Sequence, residues 1–178
     1  MPLAQKYRPH YTYQDYCQWE GRWELIDGVP YAMSPLPVPR HQRVSLTLSM
    51  VFEKALIKCK KCMVYPPLDW KITEDTILQP DVLIVCNKID KKYLDFPPIL
   101  VVEVLSPSTA SKDRGEKMEL YQFNGVKYYL LADPKFNKLE LYALNNGYYE
   151  PISVNPASYK FIFEKGCTAD VNFAGIWE

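Results

Sequence analysis

The sequence predicts an α/β (α+β) chain, and three observations carry that prediction. Two aliphatic runs, at residues 82–86 and 99–105, have the continuous apolar character of strands buried on both faces. Helical patterns at residues 40–58 and 111–123 are interleaved with strand patterns. Turn signals at Asp27-Gly28 and Asn145-Asn146-Gly147 mark a β-hairpin towards each end of the chain.

Taken in order, residues 1–11 read as a flexible lead-in to a single domain spanning 1–178. Thr12-Tyr13-Gln14-Asp15 has capping-box spacing, which starts a short helix running to about residue 19. Residues 23–26 and 29–33 form a hairpin about Asp27-Gly28. Pro30, lacking an N–H, is confined to a strand start or an edge. Pro35-Leu36-Pro37-Val38-Pro39 is a stiff connector. The 40–58 helix has one apolar face of Val44, Leu48, Val51, Phe52, Ala55 and Leu56. Residues 64–72 read as a strand broken at Pro66-Pro67, and Glu74-Asp75 turns the chain towards residues 82–86. Ser106-Pro107-Ser108-Thr109 ends the 99–105 strand, and Asn124-Gly125 stops the helix that follows. Further strands are expected at 127–132, 139–144, 148–154 and 159–163. The tail packs back through Val171, Phe173 and Trp177.

The 178 residues carry 21 basic and 21 acidic side chains, so no global charge draws the chain to nucleic acid, and any such binding needs a local basic patch. No apolar stretch reaches the roughly 20 residues of a membrane span, and the first residues lack the apolar core of a signal peptide. Five cysteines, an odd number without framework spacing, indicate a reducing compartment, and the expected location is cytoplasmic. Cys59-Lys60-Lys61-Cys62 is a lone C-x-x-C. It is read as two ordinary thiols near a basic helix end, in preference to a zinc or redox centre.

The chemistry centres on two carboxylates. Glu103 lies inside the 99–105 run, where an uncompensated charge costs several kcal/mol or more (~20 in the Born limit), so it requires a metal, a lysine or a hydrogen-bond network. Asp81 opens the other run. Pairing the two antiparallel so that their apolar parts overlap sets Val82 against Val102 and Asp81 against Glu103. Such a pair either binds a divalent cation or consists of two unrelated strand-end acids, one of them paired with a nearby Lys or Arg. On the following helix Asp113, Lys117, Leu120 and Tyr121 share one side at about 100° per residue. Lys117 is therefore either directed at the sheet or a snorkelling surface lysine. Glu24 is an edge-strand acid or a neighbour of the metal site. His41, in a first helical turn, is suited to a carboxylate, a phosphate or a capping role.

Pro80-Asp81, Glu103-Val104-Leu105-Ser106-Pro107-Ser108-Thr109, Asp113, Lys117 and Tyr121 together resemble the PD-(D/E)XK, or restriction-endonuclease-like, nuclease superfamily. More narrowly they resemble its Uma-type family, frequent in cyanobacteria. Glu24-Leu25-Ile26-Asp27-Gly28, His41, Gly125-Val126 and Asp133-Pro134 also match, so the resemblance spans nearly the whole chain. It implies a restriction-endonuclease-like core, a mixed central sheet flanked by helices. It also implies hydrolysis of phosphodiester bonds in DNA, with Asp81, Glu103 and the Val104 carbonyl holding Mg²⁺ or Mn²⁺ and Lys117 assisting the attacking water. Glu24, His41, Asp113 and Tyr121 are auxiliary in this reading. One departure stands out: the superfamily lysine two positions after the glutamate is Leu105 here, and its role passes to Lys117. The alternative is a catalytically inactive DNA-binding or protein-interaction module on the same fold. Aromatic surface among the 14 tyrosines makes a homodimer a further expectation.

Overall fold

The computed structural model describes residues 9–33 and 37–178. Of the expected flexible lead-in, residues 1–8 lie outside the described residues. Residues 9–11 do not behave as a loose end: His10 pairs with Asp75 at 3.0 Å, and the Tyr11 N–H donates to the Gly28 carbonyl. The proline connector lies partly outside the described residues as well.

The capping box forms at Thr12 and Asp15, but the helix it starts, α1 (Tyr13–Tyr16), is a single turn that ends before Trp19. Strands β1 (Trp23–Ile26) and β2 (Val29–Ala32) make the first hairpin. Asp27 and Gly28 both take positive φ, 47° and 74°, as the tight turn requires. Pro30 sits in β2, the edge of a four-stranded sheet ordered β2-β1-β5-β4. Helix α2 (Pro39–Leu56) begins with proline in its first turn and buries His41, Val44, Leu48, Phe52 and Leu56.

The expected 64–72 strand is two strands in two sheets. β3 (Met63–Tyr65) joins the large sheet, and β4 (Trp70–Lys71) joins the small one beside β5 (Ile77–Leu78). Pro66-Pro67 is the reason, since neither residue can donate to a ladder. β6 (Val82–Val85) and β7 (Leu100–Val104) are buried along their whole length and pair antiparallel, Val82 with Val102, Leu83 with Val101 and Ile84 with Leu100.

The helix expected over 111–123 is broken into α3 (Ala110–Arg114) and α4 (Glu116–Phe123) at Gly115, whose φ of −114° and ψ of −101° leave the helical basin. β8 (Tyr128–Asp133) then pairs parallel with β7, and β9 (Lys138–Asn145) and β10 (Tyr148–Val154) complete a mixed six-stranded sheet ordered β10-β9-β8-β7-β6-β3. β11 (Ser158–Ile162) and β12 (Thr168–Asn172) form a separate hairpin.

The large sheet is covered on both faces. Val82, Ile84, Val102 and Leu130 pack on α2 and the β11–β12 hairpin. Leu83, Val101, Tyr129 and Leu131 pack against Ile26, Trp70, Leu78 and Tyr121 from the small sheet and α4. Each aliphatic side chain so buried contributes about 1.5–3 kcal/mol.

Cys59 and Cys62 are not isolated thiols. Cys59 is disulfide-bonded to Cys167 and Cys62 to Cys86, and the exposed Cys17 is free. The pairing escapes a reading of spacing because the Cys59–Cys167 bond spans 108 residues. Among the described residues no helix is long and apolar enough to cross a membrane.

Candidate active site

Strand alternation aims Glu103 at the face of the large sheet that meets α4, between Val101 and Leu105. It is 3% exposed. Asp81 immediately precedes β6, and the β6–β7 register carried on by one residue sets it across from Glu103. Asp81 Oδ2 accepts the Val104 N–H at 2.8 Å and lies 3.4 Å from His41 Nε2, which approaches from the first turn of α2. His41 Nδ1 is buried with no hydrogen-bond partner among the described residues. Burial pulls the imidazole pKa down, but the hydrogen bond and charge of Asp81 outweigh it, and the net shift is upwards.

Lys117, in the first turn of α4, is the hub. Its Nζ lies 2.6 Å from Glu103 Oε1, 2.9 Å from Glu24 Oε1 and 3.5 Å from Asp113 Oδ1. Burial opposes its charge, yet the three carboxylates win and raise its pKa well above the ordinary lysine value. The carboxylates around it thus favour the ammonium form of Lys117. Tyr121, one turn on, donates from its hydroxyl to Glu103 Oε1 at 2.5 Å, and Trp70 stacks on its ring. Tyr129 Oη fixes the backbone carbonyl of Asp113 at 2.8 Å.

The two glutamates are driven in opposite directions. Burial pushes Glu24 up, but Lys117 and Lys112 together outweigh it and bring its pKa down to about 2. Lys112 Nζ lies 2.9 Å from Glu24 Oε2, and the Gln79 N–H donates to Oε1 at 3.0 Å. Burial also pushes Glu103 up. Lys117 pulls it back, while Asp113, Asp81 and Glu24 repel its charge, and its pKa ends well above the usual carboxylate range. Burial likewise raises Asp113.

All eight residues singled out from the sequence, Glu24, His41, Asp81, Glu103, Val104, Asp113, Lys117 and Tyr121, thus gather at one place. All but Tyr121 line an open cleft of about 1030 Å³, and Tyr121 supports Glu103 from beneath. The sequence reading missed Lys112, Arg22 and Gln79. On one continuous helix Lys112 and Lys117 would point about 140° apart. The break at Gly115 lets both reach Glu24. Arg22 also lines the cleft. Its Nε donates to the Gln79 side chain at 3.1 Å, and its Nη2 is buried with no partner among the described residues.

The donor set consists of oxygens. Four carboxyl groups (Glu24, Asp81, Glu103 and Asp113) meet two ammonium groups (Lys112 and Lys117), so full ionisation would leave two negative charges uncompensated before His41 is counted, and burial with mutual repulsion pushes Glu103 and Asp113 towards their neutral forms instead. Asp81 Oδ1 and Glu103 Oε2 make none of the hydrogen bonds described above. This pattern suits a hard divalent cation such as Mg²⁺ or Mn²⁺.

Comparison with known proteins places the chain. The model of a family described as "Uma2: Putative restriction endonuclease" matches residues 12–171. An uncharacterised protein of Synechocystis sp. is 35% identical over 146 residues, covering 78% of this chain and 76% of that protein. A crystal structure from Anabaena variabilis, described as a "putative nuclease belonging to DUF820", superposes with a TM-score of 0.70. It covers 88% of this chain and 90% of its own at 14% identity, a level that speaks to fold alone. The restriction-endonuclease-like fold implied by the motifs is the fold of this chain.

Proposed function

The chain belongs to the Uma2 family of restriction-endonuclease-like proteins, and from that premise we propose that it is a divalent-metal-dependent nuclease hydrolysing phosphodiester bonds in DNA. The observation that carries this reading is the gathering of buried carboxyl groups, in which Asp81, Asp113 and Glu24 oppose the ionisation of Glu103 more than Lys117 relieves it, a repulsion that a divalent cation would remove. Asp81, Glu103 and the Val104 carbonyl would hold Mg²⁺ or Mn²⁺. When bound, such an ion polarises the phosphate and lowers the pKa of a coordinated water.

The chain's own residues supply the rest. The surrounding carboxylates favour the ammonium form of Lys117, which suits it to holding charge rather than to taking the proton from water. Its ammonium holds Glu103 and Glu24 in register and opposes the negative charge that builds up on the phosphate oxygens. Tyr121 and Lys117 both hold the Glu103 carboxyl group at Oε1. His41 orients Asp81, and Asp113 holds Lys117 from its own helical turn. Arg22 and Lys112 line the cleft as cationic donors to a phosphate oxygen, Lys112 while sharing its charge with Glu24.

The test is incubation of plasmid, linear duplex and single-stranded DNA with Mg²⁺ or Mn²⁺, beside EDTA and Asp81→Ala controls. Cleavage that needs the metal and disappears in Asp81→Ala is expected. Cleavage undiminished in Asp81→Ala overturns the reading. A second reading, a non-catalytic DNA-binding or interaction module, is favoured by Leu105 standing where the superfamily has its lysine. DNA binding without cleavage under either metal selects it.

A further inference from the structure

α2 and β6 each run from the acidic cleft to a second cluster of ligating side chains. Their near ends carry His41 and Asp81. Beyond their far ends come Cys59 and Cys62, in the loop after α2, and Cys86, directly after β6. Cys167 joins them from the position immediately before β12. The bonded pairs are Cys59–Cys167 and Cys62–Cys86. Cys62 is bonded to neither Cys59 nor Cys167, yet the three sulfurs lie within 4.8 Å of one another; Cys86 lies outside that mutual spacing and is held beside the group by its bond to Cys62.

We propose that in the reduced protein Cys59, Cys62, Cys86 and Cys167 are the four ligands of one structural Zn²⁺. Two disulfides have no physical reason to adjoin, since each acts by closing its own loop wherever it lies. Four ligands of one ion must adjoin: tetrahedral zinc at a Zn–S distance of about 2.3 Å spaces its sulfurs about 3.8 Å apart. Cys59-x-x-Cys62 on a turn has the spacing of a zinc knuckle, and the other two sulfurs come from separate segments, as in zinc ribbons. Cys62, Cys86 and Cys167 are buried, and four protein sulfurs leave no open position, which marks a structural site. A tetrathiolate zinc carries two negative charges. Lys58, Lys60 and Lys61 surround the knuckle, and residues 57–64 contain no acid.

The disulfides and the metal site are alternative states of one cluster. A dithiol reductant gives two electrons and two protons to each disulfide, yielding four thiols, and Zn²⁺ then displaces the four thiol protons. Bound zinc ties the β11–β12 hairpin to the ends of α2 and β6, so it adds to stability.

The experiment measures the metal content of the full chain purified with a dithiol reductant and without chelator. One zinc per chain is expected, retained in Cys17→Ser and in Asp81→Ala, and reduced at least tenfold in Cys62→Ser and Cys167→Ser. Cobalt titrated into the stripped, reduced parent, a measurement independent of whether the variants fold, should give the visible absorption of a tetrahedral tetrathiolate ion. Its melting temperature should fall on chelation and recover with zinc. The proposal is overturned if the reduced, folded parent shows four free thiols and takes up neither zinc nor cobalt. It is equally overturned if both disulfides persist under reductant. Zinc lost in Asp81→Ala would place the ion in the cleft and also overturn it, whatever the outcome of the DNA-cleavage assay.

Discussion

Replacing Glu24 by Gln keeps the shape of a fully buried side chain and removes the charge that Lys112 and Lys117 share. Those two ammonium groups bring the Glu24 carboxyl from 4.5 down to about 2. At about 1.4 kcal/mol for each tenfold change in proton affinity, the depression contributes about 3 kcal/mol at neutral pH. The folded-state pKa is the lower one, so this contribution is present in full above about pH 4.5 and is lost as the pH falls towards about 2. Parent and Glu24→Gln should therefore differ by about 3 kcal/mol in urea melts with EDTA at about pH 7.5 and 5, and by about 2 kcal/mol at about pH 3.5. In a chain of this length the neutral-pH deficit corresponds to roughly 6–12 °C in melting temperature. A variant as stable as the parent at neutral pH, or a deficit that is the same at every pH, would refute the assignment of Glu24 as the shared counter-ion.

Three further outcomes follow from the same site. Glu103 has a raised pKa, so its ionised form weakens the fold as the pH rises through that value. Glu103→Gln should accordingly match or exceed the parent in EDTA at about pH 8, by up to about 1–3 kcal/mol. Mn²⁺ should raise the melting temperature of the parent and not of that variant, and a markedly destabilised variant beside a parent indifferent to Mn²⁺ would make Glu103 a structural partner of Lys117 only. Lys117→Met strands three buried carboxylates and should cost about 3–5 kcal/mol near pH 8, with the loss easing in acid as they protonate; paired melts at two pH values check this. Arg22→Gln should weaken DNA binding and reduce the log–log salt slope by about 1, and an unchanged slope means that Arg22 touches no phosphate.

The sequence by itself determined what depends on neighbours along the chain. The β6–β7 register was legible because two short apolar runs superpose in one way, and that superposition places Asp81 by Glu103. Asp27-Gly28 and Asn146-Gly147 were legible as turns because positive φ at both positions strongly favours such residues. The buried face of α2 follows from its period. Only the tertiary structure decided which charges meet. Glu24 reaches Lys112 across 88 residues of sequence, and periodicity carries no information at that range. The break at Gly115 escaped notice because glycine within a helical pattern is usually tolerated, yet that break swings Lys112 and Lys117 onto one carboxylate. Four cysteines looked unrelated for the same reason. Their spacing is set by where α2, β6 and the last hairpin end in space, and burial of the two sheet faces fixes those ends, not the residues around each cysteine.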